Sequence, residues 1–184
     1  MENKLVAYLS LGSNIDDRMA FLGKAEKMLK AHPKIKILKA SKIYETEPWP
    51  KKVVPNLARS EGGGHPHAEK GEKWFLNQVL EVETSLVPDK LLKEVQTIEH
   101  KIGRIKREHW GPREIDIDIL LYGDQIIDTP DLQIPHRHME DRQFVLVPLV
   151  EIAPHLIDPM TGRKFAAILK EVKSKDTHEV TPFL

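Results

Sequence analysis

The sequence predicts an α+β protein of ferredoxin-like type: a βαββαβ antiparallel sheet with helices packed on it, followed by a C-terminal extension. Two observations carry this prediction. Short apolar runs of strand length alternate with two longer stripes of helical period, in the order that this fold requires. The 184 residues, 40% of them apolar and 30% charged, also fit a single globular domain, 1–184, with one sizeable core.

The composition excludes several classes of function. The 28 basic residues balance 28 acidic ones, so no overall field attracts nucleic acid or an anionic membrane. The chain has no cysteine, which excludes disulfides, thiol catalysis and thiolate metal sites and fits a reducing compartment. No apolar stretch has the length of a signal-peptide core or a membrane span. We therefore expect a cytoplasmic monomer that acts on small molecules, without a nucleic acid or membrane partner.

The first strand and helix are predicted before residue 34. The near-continuous apolar run Leu5–Leu11 is typical of a central strand buried on both faces, and Gly12 ends it. Cap residues and first-turn acids follow in 13–17, and apolar residues then recur at helical spacing. Pro33 ends this helical pattern.

The next segment predicts an irregular strand and a long loop. Residues 35–44 have the composition of a strand whose register shifts near Leu38, as a bulge would cause. Two prolines stop the ladder after Thr46. Residues 50–73 hold four of the ten glycines and few large apolar side chains, so we expect an inserted flexible loop there. A tolerated surface insertion without function is the alternative.

The second half repeats the strand–helix–strand order. Residues 74–84 predict a strand, and Pro88 is well suited to the first position of a helix. An apolar stripe follows as far as Gly103, which is a plausible residue just beyond the helix. Residues 115–122 predict another strand. Two shorter helical segments complete the pattern, at 145–152 and 165–172.

A pair of carboxylates is the sharpest chemical signal. Asp116 and Asp118 alternate with isoleucines, so both project from one face of a strand, about 6.6 Å apart along the chain. Two neighbouring carboxylates on so apolar a strand repel each other and need a cation. Magnesium commonly binds one or two protein carboxylates together with phosphate oxygens. A solvent-facing strand side that merely tolerates Asp is the alternative.

Basic and aromatic residues precede this pair. The segment 103–113 contains several Arg and Lys side chains and Trp110, and it ends three residues before Asp116. Arginine binds phosphate oxygens bidentately, and a tryptophan face can stack on a heterocycle. Alone, the segment could equally be a solvated basic loop. Beside the carboxylates, it favours phosphoryl transfer, which depends on positioning and charge neutralisation.

Other motifs narrow the possibilities. Residues 134–144 add two histidines and two arginines, but His136-Arg137-His138 is weak as a metal motif. The triple glycine 62–64 lacks the Gly-Lys-Ser/Thr of a P-loop, and there is no G-x-G-x-x-G fingerprint. Two further alternatives remain: a binding module for a small ligand or nucleic acid, and a metal-dependent nuclease. The neutral charge and the lack of a long basic stripe count against the nuclease.

Several motifs, in order along residues 5 to about 160, resemble the 6-hydroxymethyl-7,8-dihydropterin pyrophosphokinase family of folate biosynthesis. The combination of Trp110-Gly111-Pro112-Arg113 with the Asp pair is the most specific of them. The other matching pieces are Ser10-Leu11-Gly12-Ser13-Asn14, Tyr44-Glu45-Thr46-Glu47-Pro48, Phe75-Leu76-Asn77, Gly103-Arg104, Pro135-His136 and Arg142-Gln143-Phe144-Val145-Leu146.

The resemblance implies an ATP- and Mg²⁺-dependent enzyme that transfers the β,γ-pyrophosphate of ATP to the pterin hydroxymethyl group and releases AMP. It implies that Asp116 and Asp118 bind two Mg²⁺ ions and that Arg104 and Arg113 neutralise the transferred group. The implied ATP-site residues are Glu99, Arg104, Lys106, His109, Trp110, Arg113, Ile119, His136 and Arg142. The implied pterin-site residues are Thr46, Pro48, Phe75, Asn77, Trp110, Asp116 and Phe144.

The chain departs from the family pattern at several positions. Lys106 and His109 stand where arginine is common, so phosphate contacts there are expected to be weaker or pH-dependent. The insertion 50–73 is longer than the corresponding mobile loop of the family, so closure over the substrates is expected to differ.

Overall fold

A computed structural model describes residues 4–15, 17–47, 74–105, 113–176 and 178–183. The strands are β1 (Leu5–Ser13), β2 (Ile35–Ala40), β3 (Tyr44–Thr46), β4 (Phe75–Thr84), β5 (Asp116–Tyr122), β6 (Ile127–Asp128), β7 (Gln133–Ile134) and β8 (Val180–Pro182). The α-helices are α1 (Arg18–Ala31), α2 (Pro88–Ile102), α3 (Gln143–Ile152) and α4 (Phe165–Lys175), and a 3₁₀ turn spans Met139–Asp141.

The main sheet is antiparallel and has the strand order β5-β1-β4-β3-β8, with β2 also paired to β4. β1 therefore lies between β4 and β5, as its near-continuous apolar composition predicts. The small hairpin of β6 and β7 forms a separate two-stranded sheet. This mixed architecture of helices on an antiparallel sheet agrees with the predicted class.

Helices α1 and α2 cover one face of the main sheet. Both contact it, and both contact each other, over a core that includes the isoleucines of β5 and the alternate residues Ala7, Leu9 and Leu11 of β1. Asp17 caps α1, because its Oδ1 accepts a hydrogen bond from Ala20 N–H at 3.0 Å. Pro88 begins α2, as predicted.

Helices α3 and α4 belong to the C-terminal extension, and they cover the opposite face of the main sheet. Their core includes Tyr8, Val79 and Leu120 from the sheet. A register shift between Tyr8 and Leu9 turns both Leu120 and Leu121 toward this side. The carboxylates of β5 alternate with the isoleucines that face α1 and α2, so they project to the side of α3, near the end where the strand begins.

One predicted element is wrong in its extent. The expected strand over 35–44 is two strands, because Ser41 interrupts the ladder: Ser41 N–H donates to Val79 O at 2.9 Å, and Val79 N–H donates to Ser41 Oγ at 3.0 Å. The chain then continues as β3, which extends two residues beyond the predicted end at residue 44 and stops at Thr46, before the prolines. The predicted register shift is confirmed, since it lies between Ile37 and Lys39.

Two predictions concern residues that the structure leaves undescribed. The inserted flexible loop at 50–73 falls in the range 48–73, and most of the basic segment before Arg113 falls in 106–112. Both therefore stay predictions. Across the described residues, every helix is too short or too polar to cross a bilayer.

Candidate active site

A row of three residues crosses the main sheet on the α3 side. In the β1–β5 ladder Asp116 lies opposite Gly12, and in the β1–β4 ladder Gly12 lies opposite Asn77. Directly paired residues of antiparallel strands point to the same face. With strands about 4.8 Å apart, Asp116 and Asn77 are about 10 Å from each other, and Gly12 places no side chain between them.

Two arginines hold the Asp116 carboxylate. Arg104 Nη2 lies 2.7 Å from Asp116 Oδ1, and Arg113 Nη1 contacts Asp116 Oδ2. The arginines approach from opposite ends of the basic segment, Arg104 directly after α2 and Arg113 directly before β5. Each side chain is 29% exposed, so solvent screens this cluster only in part.

Glu99 fixes Arg104 in place. It lies in α2 and is buried, Arg104 Nη1 contacts its Oε2, and Ile117 N–H donates to its Oε1 at 2.7 Å. Gly103 has φ 106°, a conformation that favours glycine, and it allows Arg104 N–H to donate to Glu99 O at 3.0 Å. Burial raises the pKa of Glu99, although Arg104 opposes this effect. Burial alone would lower the pKa of Arg104, but Asp116 and Glu99 raise it.

Among the described residues, Asp118 is not clamped by two arginines in this way. Its side chain is 41% exposed, and His136 Nε2 lies 4.0 Å from its Oδ2. Desolvation and the neighbouring charge of Asp116 raise the pKa of Asp118, although Arg142 and Arg113 oppose this effect. Burial and the positive charge of Arg142 lower the pKa of His136 to about 4, so the imidazole is neutral at pH 7 and adds no positive charge to Asp118.

The turn after β1 positions Arg113, a role that the sequence analysis did not assign. Asn14 Oδ1 accepts a hydrogen bond from Arg113 N–H at 2.7 Å, and Asn14 N–H donates to Arg113 O at 3.2 Å. The backbone of Arg113 is therefore held against the end of β1. A Gly-Ser-Asn sequence directly after a buried strand was the available signal, although it also fits an ordinary turn.

The other end of the row contains an amide and a hydroxyl. Asn77 and Thr46 are both buried, and Asn77 Nδ2 donates to Thr46 Oγ1 at 2.7 Å. A Cβ atom added to Gly12 would lie 3.1 Å from Asn77 Oδ1, so the Asn77 carbonyl oxygen points toward the space above Gly12. The position of the Asn77 side chain therefore requires a glycine at position 12. The sequence analysis did not assign this role to Gly12.

The aromatic residues predicted for the pterin lie on the same side of the sheet as this row. Phe75 begins β4 opposite Thr46, on the same face as Asn77. Phe144 lies in the first turn of α3, and the Arg142 guanidinium carbon is 5.7 Å from the centre of its ring. The structure thus brings both rings to the α3 side of the sheet. The remaining predicted site residues, Pro48, Lys106, His109 and Trp110, lie outside the described residues.

A cleft of about 630 Å³ opens next to Asp118, a size typical of small-molecule sites. Ile119, Ile117 and His136 line one side, and the loop between β6 and β7 lines the other. Two of these residues, Ile119 and His136, are predicted ATP-site residues, and they lie on the same edge of the sheet as the arginine-bound Asp116. The cleft can therefore take a nucleoside whose phosphates extend toward the arginines.

The carboxylates could hold a metal ion only together with another ligand. No group of three or more His, Asp or Glu side chains within the described ranges forms a complete metal site. Two carboxylates beside arginines and an open cleft match the usual magnesium arrangement, in which substrate phosphates and waters complete the coordination. The donor set therefore fits magnesium that is bound with a phosphate-containing substrate.

Comparison with known proteins identifies the family. A model of the 7,8-dihydro-6-hydroxymethylpterin-pyrophosphokinase (HPPK) family matches residues 8–154. The chain is 40% identical over 170 residues to the 2-amino-4-hydroxy-6-hydroxymethyldihydropteridine pyrophosphokinase of Aquifex aeolicus, covering 92% of this chain and 91% of that protein. The protein of that name from Bacillus subtilis is 41% identical over 147 residues, covering 80% of this chain and 77% of that protein.

A solved structure agrees at the level of the fold. The HPPK-DHPS of Plasmodium falciparum, wild type with pteroate, has a TM-score of 0.70 at 16% identity. The likeness covers 95% of this chain but only 43% of that longer chain. With the family match spanning most of its residues and relatives at about 40% identity over most of their own length, the chain belongs to the 7,8-dihydro-6-hydroxymethylpterin-pyrophosphokinase family.

Proposed function

We propose that the chain transfers the β,γ-pyrophosphate of ATP to the hydroxymethyl oxygen of 6-hydroxymethyl-7,8-dihydropterin, releasing AMP and forming the pterin diphosphate in folate biosynthesis. Family membership supports the pyrophosphokinase activity. The observation that carries the proposal is the row Asp116–Gly12–Asn77. It places an acid–arginine cluster and a polar pocket on one face of the sheet, so a triphosphate and a pterin can meet above Gly12.

Asp116 and Asp118 are the proposed residues for two Mg²⁺ ions. When bound with ATP, the ions neutralise the triphosphate and polarise the phosphorus that is attacked. The carboxylates suit this role because burial and the negative charge of Asp116 raise the pKa of Asp118, although Arg142 and Arg113 oppose this effect. A bound cation would compensate the charge that the two carboxylates share.

Arg104 and Arg113, which pair with Asp116 in the free protein, are the proposed ligands of the ATP phosphates. Without substrate both guanidinium groups are engaged by Asp116. A triphosphate offers each of them a doubly charged, bidentate partner. We propose that the two arginines turn from Asp116 to phosphate oxygens when ATP binds, which frees both oxygens of Asp116 and neutralises the transferred group. Catalysis then consists of positioning and charge stabilisation, without a covalent enzyme intermediate.

The proposed pterin pocket is the Asn77 end of the row. A pterin presents an amide edge that must be hydrogen-bonded when buried, and Asn77 and Thr46 are the buried polar side chains there. Phe75 and Phe144 can provide aromatic faces for the flat ring system, as offset or edge-to-face contacts. The hydroxymethyl group would then point along the row toward Asp116, where the pyrophosphate is transferred.

The nucleoside of ATP is proposed to lie in the cleft beside Asp118. Ile117 and Ile119 are almost wholly buried in the core and form an apolar wall of the cleft, and the neutral ring of His136 can accept or donate a hydrogen bond. Arg142 lies near enough to His136 and Asp118 to influence the pKa of both, so it can contribute positive charge at the phosphate end of the cleft.

Analysis of the phosphorus-containing products tests the reaction. With ATP, Mg²⁺ and the hydroxymethyl pterin, ³¹P NMR should show AMP and a pterin diphosphate in equal amounts. Asp116→Asn should abolish both products. Asp124→Asn, at an exposed position just after the same strand, should change neither. ADP with a pterin monophosphate would contradict the proposal. Pterin binding without turnover would favour a binding module, and cleavage of added nucleic acid would favour a nuclease.

We also propose the ferredoxin-like topology of the fold and the cytoplasmic location of the protein. The ladders place β1 between β5 and β4, with β2 and β3 beyond β4. This order supports the ferredoxin-like assignment for the first seven elements, β1 to β5, with β2 and β3 together as its second strand. The cysteine-free composition supports action in a reducing cytoplasm. We further propose that the enzyme acts as a monomer on its two small-molecule substrates.

A further inference from the structure

The C-terminal segment, Asp176 with residues 178–183, lies beyond the part of the chain that the family model matches, which ends at residue 154. It nevertheless contacts both elements that form the proposed pterin pocket. One is β3, which carries Thr46, and the other is the start of α3, which carries Phe144.

The first contact is a strand pairing. β8 extends the sheet beyond β3, with Val180 opposite Thr46 and Thr181 opposite Glu45. Hydrogen bonds continue at both ends. Phe183 N–H donates to the backbone carbonyl of Ile43 at 2.8 Å, and Glu179 N–H donates to the side-chain oxygen Glu47 Oε2 at 3.4 Å. The segment therefore covers the whole length of the short strand β3 and reaches the residue that follows it.

The second contact is a single hydrogen bond to a buried side chain. Gln143 Nε2 donates to Asp176 O at 2.8 Å, and Gln143 is only 5% exposed. Gln143 is the first residue of α3 and directly precedes Phe144. Within the described residues, no side chain caps the start of α3, and this hydrogen bond connects its first residue to the C-terminal segment.

Asp176 and His178 join the two contacts. The His178 ring Nδ1 contacts Asp176 Oδ1, and His178 N–H donates to the same oxygen at 3.0 Å. Both side chains are largely buried, at 14% and 17% exposure. Asp176 Oδ2 and His178 Nε2 are buried without another hydrogen-bond partner in the part of the chain that the structure describes. Burying such groups is costly, so the contact between Asp176 and His178 offsets part of that cost only while the two residues keep this arrangement.

We propose that this segment positions the two sides of the pterin pocket relative to each other, with Asp176 and His178 as positioning residues. β3 and α3 belong to different layers, and the segment is hydrogen-bonded to both. Asp176 O accepts from Gln143 at the start of α3, and residues 179–183 pair with the chain at 43–47. The proposal rests on the proposed function, because the pocket that it concerns is the one assigned there to the pterin.

Replacing His178 by Ala tests the proposal, with His155→Ala as control because His155 is an exposed histidine in the loop after α3. We expect His178→Ala to raise KM for the hydroxymethyl pterin roughly tenfold, as loss of one charge-assisted contact allows. KM for ATP and kcat should stay within about twofold, since the segment contacts neither the Asp pair nor the cleft. Gln143→Met, which removes only the contact with Asp176, should reproduce this split.

A second measurement separates this proposal from the proposed function. In His178→Ala, hydrogen exchange should accelerate at the amides of 44–46 and 143–146 and stay unchanged in β5. This result would support the positioning role even if the wild-type protein formed no pterin diphosphate. Unchanged exchange at both places would overturn it. An equal rise of KM for ATP and for the pterin would also overturn it, because only a general destabilisation would have that effect.

Discussion

Arg104 Nη2 lies 2.7 Å from Asp116 Oδ1, although the two residues are separated by most of the basic segment and belong to different elements. Arg113 contacts the other oxygen of the same carboxylate. The free protein therefore pairs one member of the Asp pair directly with two arginines. The other, Asp118, lies beside a neutral imidazole, and the positive charges of Arg142 and Arg113 only partly oppose the rise of its pKa. This asymmetry gives different expectations for each residue.

Asp118→Ala should lower kcat by roughly 10²–10³-fold, because it removes a charge needed at the transferred group. The free energy of unfolding should hold or rise, since Asp118 is a poorly compensated carboxylate. Steady-state kinetics and urea denaturation of the same preparation measure both quantities. Wild-type turnover in the variant would exclude a role for Asp118 in binding Mg²⁺.

The same carboxylate predicts a pH dependence in chelator-treated protein. Its pKa in the folded state is raised above the unfolded value of 3.8 by desolvation and by Asp116. The folded state therefore binds more protons, and this group's contribution to stability falls as pH rises through the folded pKa. Asparagine at position 118 does not ionise, so Asp118→Asn does not lose this free energy of unfolding as pH rises. The variant should therefore be about as stable as the wild type near pH 4 and more stable than the wild type toward pH 8. Parallel stability curves for the two proteins would contradict the assignment.

His136 should stay neutral well below pH 6. Burial and Arg142 lower its pKa to about 4, so its ring should titrate near pH 4 in a histidine NMR experiment. Because the folded pKa is below the unfolded value, the folded state loses stability as pH falls from about 6.5 toward 4. Arg142→Gln removes one cause and should raise the pKa of His136. A midpoint near 6.5 in the wild type would refute the burial argument.

Arg113→Ala should lower kcat more than it weakens ATP binding, if Arg113 turns to the transferred phosphates in the transition state. Arg163→Ala is the matched control, since Arg163 pairs with the exposed Glu171 far along the chain. Kinetics and direct ATP binding distinguish the outcomes. Weaker ATP binding with unchanged kcat would assign Arg113 to ground-state binding instead.

Gly12→Ala should disturb the pterin pocket. Its Cβ would lie 3.1 Å from Asn77 Oδ1, so Asn77 must shift, which puts its hydrogen bond to Thr46 at risk. We expect KM for the pterin to rise several-fold and stability to fall by about 1–3 kcal/mol.

The control for that substitution is Gly23→Ala in α1, where an added Cβ meets no atom within 4 Å. It should stabilise the protein by up to about 1 kcal/mol, because alanine is the better helix former, and leave the kinetics unchanged. Unchanged pterin kinetics in Gly12→Ala would show that the space above Gly12 is not needed by the substrate.

Local sequence rules predicted much of the fold. β1 is central because an apolar run without alternation must be buried on both faces, and Gly103 ends α2 because it can adopt a positive φ. The rules were wrong where a side chain competed with the ladder. Ser41 binds both backbone groups of Val79 and divides one predicted strand into two, and no periodicity in residues 35–44 reveals such a long-range partner.

The sequence by itself determined the chemistry of the site: the Asp pair on one strand face, the arginines near it, and the resemblance that the family match bears out. Only the tertiary structure decided which groups meet. Asp116, Gly12 and Asn77 are far apart in the chain and become neighbours through the registers of two ladders, and Asn14 meets Arg113 in the same way. The face of a strand that a side chain occupies follows from the local geometry of the chain. Register depends on how all strands bury their apolar faces together, so it cannot be derived from any one segment.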